Sequence, residues 1–325
     1  MEGTTMQRRT ILRGTSALAL GLPALARAAE AFPTRPVTLV VPFPPGGATD
    51  VAARTLAERM APLLGQPVVI DNKPGAQTAI GADAVARAAP DGHTILMASG
   101  TTMTLNPLLP EKLSYRAEDL APIVLVTTLP FGIVVRKGLA ADIPGFVALA
   151  KSRGGGLNYG SNGPTSFNNI AAIVVMEGLG IRMQEVPYRG DAQQLTDLMS
   201  GTLDVISVGG SSALAAMRSG RGTIIGWTGE GERLAVTPEV PNFAELGPNM
   251  VSQTHFGLLA PARTPPAAIA RLNAAALKAM EAPELRQRLL DEGQYVRGGG
   301  PEDYAAYLRR DHDRWRDLIA RLARA

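Results

Sequence analysis

Cysteine is absent from all 325 residues, which excludes disulfides, thiolate metal sites and a cysteine nucleophile. Histidine is scarce. His93, His255 and His312 are far apart and each sits in an ordinary structural setting, so neither a shared metal site nor a required cofactor is expected. There is no G-x-S-x-G elbow, no P-loop and no strand followed by G-x-G-x-x-G. Gly209-Gly210-Ser211-Ser212 offers hydroxyls, but no motif brings a base to them, so Ser211 or Ser212 reads as a helix N-cap. Paired carboxylates for acid–base work cannot be assigned. Together these absences argue against an enzyme. A charge surplus is also missing once the N-terminus is set aside. Residues 1–28 hold Arg8, Arg9, Arg13 and Arg27 against Glu2, and taking them from 32 basic and 29 acidic residues leaves 28 of each. No basic stripe remains to hold nucleic acid or anionic lipid. After that segment no apolar run approaches the roughly eighteen residues that span a bilayer.

What is present begins with targeting. Gln7-Arg8-Arg9-Thr10-Ile11-Leu12-Arg13 is a twin-arginine pattern ahead of a small, apolar stretch, and Ala26-Arg27-Ala28 offers a cleavage site. Residues 1–28 therefore read as an export signal of the twin-arginine type, with Met1 or Met6 as the start. The remainder, of about 300 residues, is long enough for two domains.

The mature chain is organised around 37–50, VTLVVPFPPGGATD. Val37 to Val41 is an apolar, β-branched run of the kind buried in a parallel strand. Pro44-Pro45-Gly46-Gly47 turns the chain into a helix with apolar positions at Val51, Leu56, Met60 and Leu63–Leu64. Free N–H groups at that helix start form either an anion pocket or only a tight βα turn. Strands at 68–70 and 94–98, with a helix at 80–89 between them, continue a β-α-β-α-β alternation that predicts a doubly wound, mostly parallel sheet. Ligands on such sheets bind beyond the strand carboxyl ends, where the loops at 43–50 and 99–106 lie.

Two strand-like runs in 123–135, joined by Thr127-Thr128-Leu129-Pro130, mark a crossing into a second unit. There the strand 157–161 opens into Asn162-Gly163-Pro164-Thr165-Ser166 and a helix from Phe167, a second polar glycine loop at a helix start. His255 to Ala260 reads as the return strand, and three helices finish the chain, the first with Thr264 as its cap. The expected division is 31–128 with 256–325 as one lobe and 129–255 as the other, joined by two crossings. Two lobes, export and no catalytic set suggest a solute-binding protein that closes by hinge motion.

Several segments are similar to the substrate-binding proteins of tripartite tricarboxylate transporters, the Bordetella uptake gene (Bug) family. They are Arg35-Pro36-Val37, Val41 to Asp50, Leu64 to Ala76, Ala89 to Thr94, Asn106-Pro107, Val186 to Gly190, Leu258 to Pro261 and Leu272-Asn273. The resemblance covers about 31–320. It implies a periplasmic, two-lobed binding-protein fold of type II, with a small carboxylate between the lobes and delivery to membrane permease subunits. It further implies first-lobe contacts from Phe43, Pro44, Gly46, Gly47 and Thr49, with Asp50 capping or orienting their loop, and Thr101 and Asn106 alongside. Second-lobe contacts would come from Ser161, Asn162, Thr165, Ser166 and Asn169. The family's second-lobe loop usually carries a histidine where Asn169 stands, and often Asp-Asn where Val208-Gly209 stands. That leaves open a dicarboxylate or a single carboxylate with a neutral or aromatic remainder. Arg189 either supplies a cation at the cleft or is a solvated surface residue. The expected protein is a monomer. Input to a signalling receptor is the alternative role, and an enzyme on the same fold a more distant one.

Overall fold

The computed structural model describes residues 1–2, 32–46, 48–109, 112–164 and 166–322, so nearly all of the export signal expected at 1–28 lies outside the described residues. Residues 32–325 form one compact unit. In chain order its elements are β1 (Val37–Val41), α1 (Ala48–Leu64), β2 (Val68–Asn72), α2 (Ala79–Ala86), β3 (Thr94–Ser99), a π-helical turn (Thr101–Leu105) and β4 (Leu120–Arg136). There follow α3 (Ile143–Ser152), β5 (Asn158–Ser161), α4 (Phe167–Leu179), β6 (Gln184–Pro187), α5 (Asp191–Ser200), β7 (Val205–Gly209), α6 (Gly210–Arg218) and β8 (Gly222–Trp227). β9 (Gln253–Pro261), α7 (Pro266–Met280), α8 (Pro283–Asp291), β10 (Tyr295–Gly298) and α9 (Pro301–Leu322) complete the chain.

The strands run in the order β2-β1-β3-β9-β4-β7-β5-β6, with β8 and β10 also paired to β4. The outer strands are parallel, β1 to β2 and β3 and β5 to β6 and β7, as the β-α alternation predicts. The centre is antiparallel: β9 to β3, and β4 to β9, β7, β8 and β10. The sheet is therefore mixed rather than mostly parallel. Parallel neighbours require a crossover of a dozen or more residues, usually a helix. β4 and β9 instead carry the chain between the two halves and run against their neighbours.

The break expected at 127–130 does not occur, since β4 is one strand of 17 residues. Up to Pro130 it pairs with β9, and from Phe131 it pairs with β7 and β8. Pro130 sits where the partner changes, so its missing N–H interrupts no ladder. The Phe131 N–H then donates to Thr228 Oγ1 at 2.9 Å. Thr127 is buried mid-strand because its hydroxyl donates to Gln294 Oε1 at 2.7 Å. β10 has no counterpart in the sequence reading, because its four residues end on a glycine and stand between Gly293 and Gly299-Gly300.

One core cluster joins Leu39, Leu56, Met60, Ile95, Leu258 and Leu272, under α1 and α7. Another joins Ile133, Phe146, Ile170, Val175 and Phe243 in the other half. α9 reaches both halves, with Tyr304 packed near Leu96 and Leu259 and with Trp315 and Leu318 in the second cluster. α7 starts at Pro266, one residue later than expected. Thr264 therefore precedes the capping position, and its hydroxyl is buried without a partner. Neither Ser211 nor Ser212 caps α6, which starts at Gly210 against the α8–β10 turn. A Cβ on Gly210 would lie 2.5 Å from the Glu292 carbonyl oxygen. Gly210→Ala is thus expected to cost about 1–3 kcal/mol of overpacking, read as a lower urea midpoint with an unchanged slope.

Candidate ligand-binding cleft

A cavity of about 550 Å³ opens where the carboxyl ends of β1 and β3 face the start of α4, with β4 and β9 along its floor. Phe43, Pro44, Thr49 and Thr101 line it from the first half and Asn162 and Ser166 from the second, all six expected from sequence. Gly47 and Thr165 lie outside the described residues. Gly46, Asp50, Asn106, Ser161, Asn169 and Arg189 are not on its wall.

Their positions show what they do instead. Gly46 turns the chain at φ +87°, in the left-handed region that suits glycine, and its N–H donates to Asp50 Oδ2 at 2.9 Å. That N–H is therefore not free for an anion. Asp50 is buried at the start of α1 and also accepts from Arg54 Nε at 2.9 Å and from Asn72 Nδ2 at 2.8 Å. Asn72 Nδ2 in turn donates to the Phe43 carbonyl at 3.1 Å, so one carboxylate braces both ends of the loop. Burial pushes the Asp50 carboxyl up. The hydrogen bonds from Arg54, Gly46 and Asn72, with the Arg54 charge, outweigh it and hold the group at about 2.

Asn106 faces a separate groove between the π-helical turn and α9. Its amide donates to the Gln77 carbonyl at 2.7 Å. That bond supports an unusual loop: Gly75, Ala76, Gln77 and Thr78 all have positive φ, from 45° to 126°. A left-handed conformation strains non-glycine residues by roughly 1–3 kcal/mol each, so tertiary contacts must hold the run. Thr78 Oγ1 accepts from Thr102 Oγ1 at 2.9 Å as a second tie. The run sets Gly75, Gln77 and Thr78 on the cavity wall, a contribution with no signal in the sequence beyond a glycine after a proline.

On the second side, Ser166 is the N-cap of α4 and accepts from the Asn169 N–H at 3.3 Å. Asn169 lies beneath the wall, accepting from Tyr159 OH at 2.7 Å and donating to the Pro164 carbonyl at 3.1 Å. Ser161 is buried, donates to Glu185 and accepts from the Gly163 N–H at 3.0 Å. Arg189 is exposed, off the cavity. Phe131, Phe167, Phe256, Asn168 and Thr254 line the cleft without having been named from sequence, and Ser99 does so from the loop 99–106 expected at the strand ends. Alternation within buried strands marks Phe131 and Phe256 only as core. Among the described residues, no ionisable side chain lines the cavity.

Two α/β halves walling an uncharged cleft, with the chain crossing between them along β4 and β9, define a two-lobed periplasmic binding protein of the type II class. The structure superposes on MatC of Rhodopseudomonas palustris with bound malate at a TM-score of 0.72 and 33% identity, covering 89% of this chain and 100% of that one. Against the R. palustris protein Rpa4515 with adipate the TM-score is 0.77 at 27% identity, covering 89% and 97%. BugT of Bordetella pertussis is 31% identical over 309 residues, 90% of each chain. The family model described as tripartite tricarboxylate transporter family receptor (TctC) matches residues 52–323. The chain belongs to that family. Among the described residues no helix is long and apolar enough to cross a membrane.

Proposed function

We propose that this protein captures a small carboxylate in the periplasm and delivers it to the permease subunits of a tripartite tricarboxylate transporter. The single observation carrying the reading is the uncharged cavity of about 550 Å³ shared by the ends of β1 and β3 and the start of α4, in a chain of this family. Its size is within the roughly 300–1,000 Å³ usual for small-molecule sites. Malate and adipate in the similar structures support a carboxylate as the cargo class. In this reading 31–128 with 256–325 forms one lobe and 129–255 the other, and they close on the ligand about β4 and β9. The protein acts as a monomer, reaches the periplasm by the twin-arginine route and catalyses no reaction.

A thermal-shift screen of the full chain, refolded free of carried-over ligand, tests this against mono-, di- and tricarboxylates and amino acids. A ligand bound only by the folded state stabilises it by about 2.7 kcal/mol at a hundredfold excess over its Kd, which raises the Tm measurably. A shift confined to carboxylates is the expected result. No shift with any carboxylate would overturn the reading.

A further inference from the structure

The two walls of the cleft differ in what they leave free. Among the described residues, each polar side chain of the second wall already has hydrogen-bond partners. Asn162 donates to Asp191 Oδ1 at 2.9 Å and accepts from Gln194 Nε2 at 2.7 Å. Asn168 donates to the Ser207 carbonyl at 2.8 Å and accepts from the Asn162 N–H at 3.2 Å and from Ser166 Oγ at 2.6 Å. Ser166 is thus occupied as donor and, through the Asn169 N–H, as acceptor. What remains of that wall is apolar: Phe131 and Phe167 lie nearly parallel, at 13° with ring centroids 6.5 Å apart. Trp315 abuts Phe167 edge-on at 4.4 Å and fixes its ring.

The first half and β9 differ. Thr49, Thr101 and Thr254 line the cavity, and among the described residues none of the three hydroxyls has a hydrogen-bond partner. They can donate to an anion without breaking an existing bond.

Charge adds to the asymmetry. The Asp191 carboxylate stands directly behind Asn162 and is held there by the Gly209 N–H at 3.0 Å. An anionic group at the second wall would meet that negative charge and two phenyl rings, and the wall amide nearest to it, Asn162, already donates to Asp191. Removing a carboxylate from water without a compensating donor or cation is strongly unfavourable, whereas burying a ring against Phe131 and Phe167 gains apolar area and ring–ring contact.

We propose that the cleft is selective for a monocarboxylate with an apolar, ring-bearing body, its carboxylate on the hydroxyls of Thr49, Thr101 and Thr254 and its ring against Phe131 and Phe167. This rests on the carboxylate-capture reading and narrows it. A ligand with a carboxylate at each end would have to place one of them on the committed wall.

Isothermal titration calorimetry on the full, ligand-free chain decides it, with benzoate and cyclohexanecarboxylate compared with malate and adipate. At least one monocarboxylate is expected to bind about tenfold or more tightly than either dicarboxylate, the cost of an unmatched charge at the second wall. Asp191→Asn is expected to tighten adipate severalfold while leaving the monocarboxylate within about twofold, because only a second charge feels Asp191 at close range. Malate or adipate binding as tightly as both monocarboxylates would overturn the proposal and leave carboxylate capture intact. If neither monocarboxylate binds, the proposal also fails, and the thermal-shift screen then decides separately whether any carboxylate is captured.

Discussion

Trp315→Ala is expected to lower the unfolding free energy by about 3–5 kcal/mol, the usual range for emptying a buried aromatic site. Trp315 is 1% exposed, and α9 places it edge-on to Phe167 at 4.4 Å. Its indole N–H donates to Asp311 Oδ1 at 3.2 Å. The other oxygen of Asp311 accepts from Thr104 Oγ1 at 2.7 Å, inside the π-helical turn, and lies 3.5 Å from His255 Nδ1 on β9. The substitution therefore opens a hole behind the cleft and removes a donor from a buried carboxylate. It also frees Phe167, so ligand affinity should fall along with stability. Trp315→Phe keeps most of the volume and loses the N–H, and is expected to cost about 1–3 kcal/mol, the penalty for an unmet buried acceptor. Urea unfolding of the two variants checks this. A loss below about 1 kcal/mol for Trp315→Ala would contradict the packing described here.

Asp50→Ala is the second large effect, expected at about 2 kcal/mol together with weakened ligand binding. It strips the Gly46 N–H, Arg54 and Asn72 of their shared acceptor at once. Arg54 is half exposed and can turn to water, which keeps the loss below that of a fully buried ion pair. The same contacts give a pH signature. The Asp50 carboxyl lies at about 2 in the folded protein against an ordinary 3.8. Its contribution is complete above pH 4 and is lost as the pH falls through 2, amounting to roughly 2 kcal/mol by linkage. In Asp50→Asn that portion of the acid-side decline should be absent. Stability measured from pH 5 to pH 2 on both proteins tests it, and parallel curves would show that Asp50 is not the group responsible.

Some features of the site were legible because they depend on local chemistry. Pro44-Pro45-Gly46-Gly47 after a β-branched run marks a strand end and helix start, and the chain does turn there into α1. Ser166 before an apolar helical stretch marks an N-cap, and it caps α4. The role expected for Asp50, orienting its loop, follows from its position in the first turn of a helix. Other features had no local signature. Asn106 and Asn169 look like ligand-facing amides in a polar loop, yet each is turned toward partners 29 and 5 residues away in sequence. The left-handed run 75–78 depends on Thr102 and Asn106 across the π-helical turn.

Composition and periodicity, taken alone, determined the α/β architecture, the absence of surplus charge after residue 28, and the two polar glycine loops at helix starts. They could do so because hydrophobic alternation, proline, glycine and capping hydroxyls act within a few residues of themselves. Only the tertiary structure decided that β4 is one strand serving both halves, that the central strands run antiparallel, and which face of each loop meets the cleft. Only it showed Phe131, Phe167 and Phe256 as cavity wall rather than plain core, and showed the second wall's Asn162 and Asn168 side chains turned to Asp191, Gln194 and Ser207. Those outcomes rest on contacts between residues far apart in the chain, where burial, hydrogen-bond competition and charge proximity are settled by packing and not by neighbours in sequence.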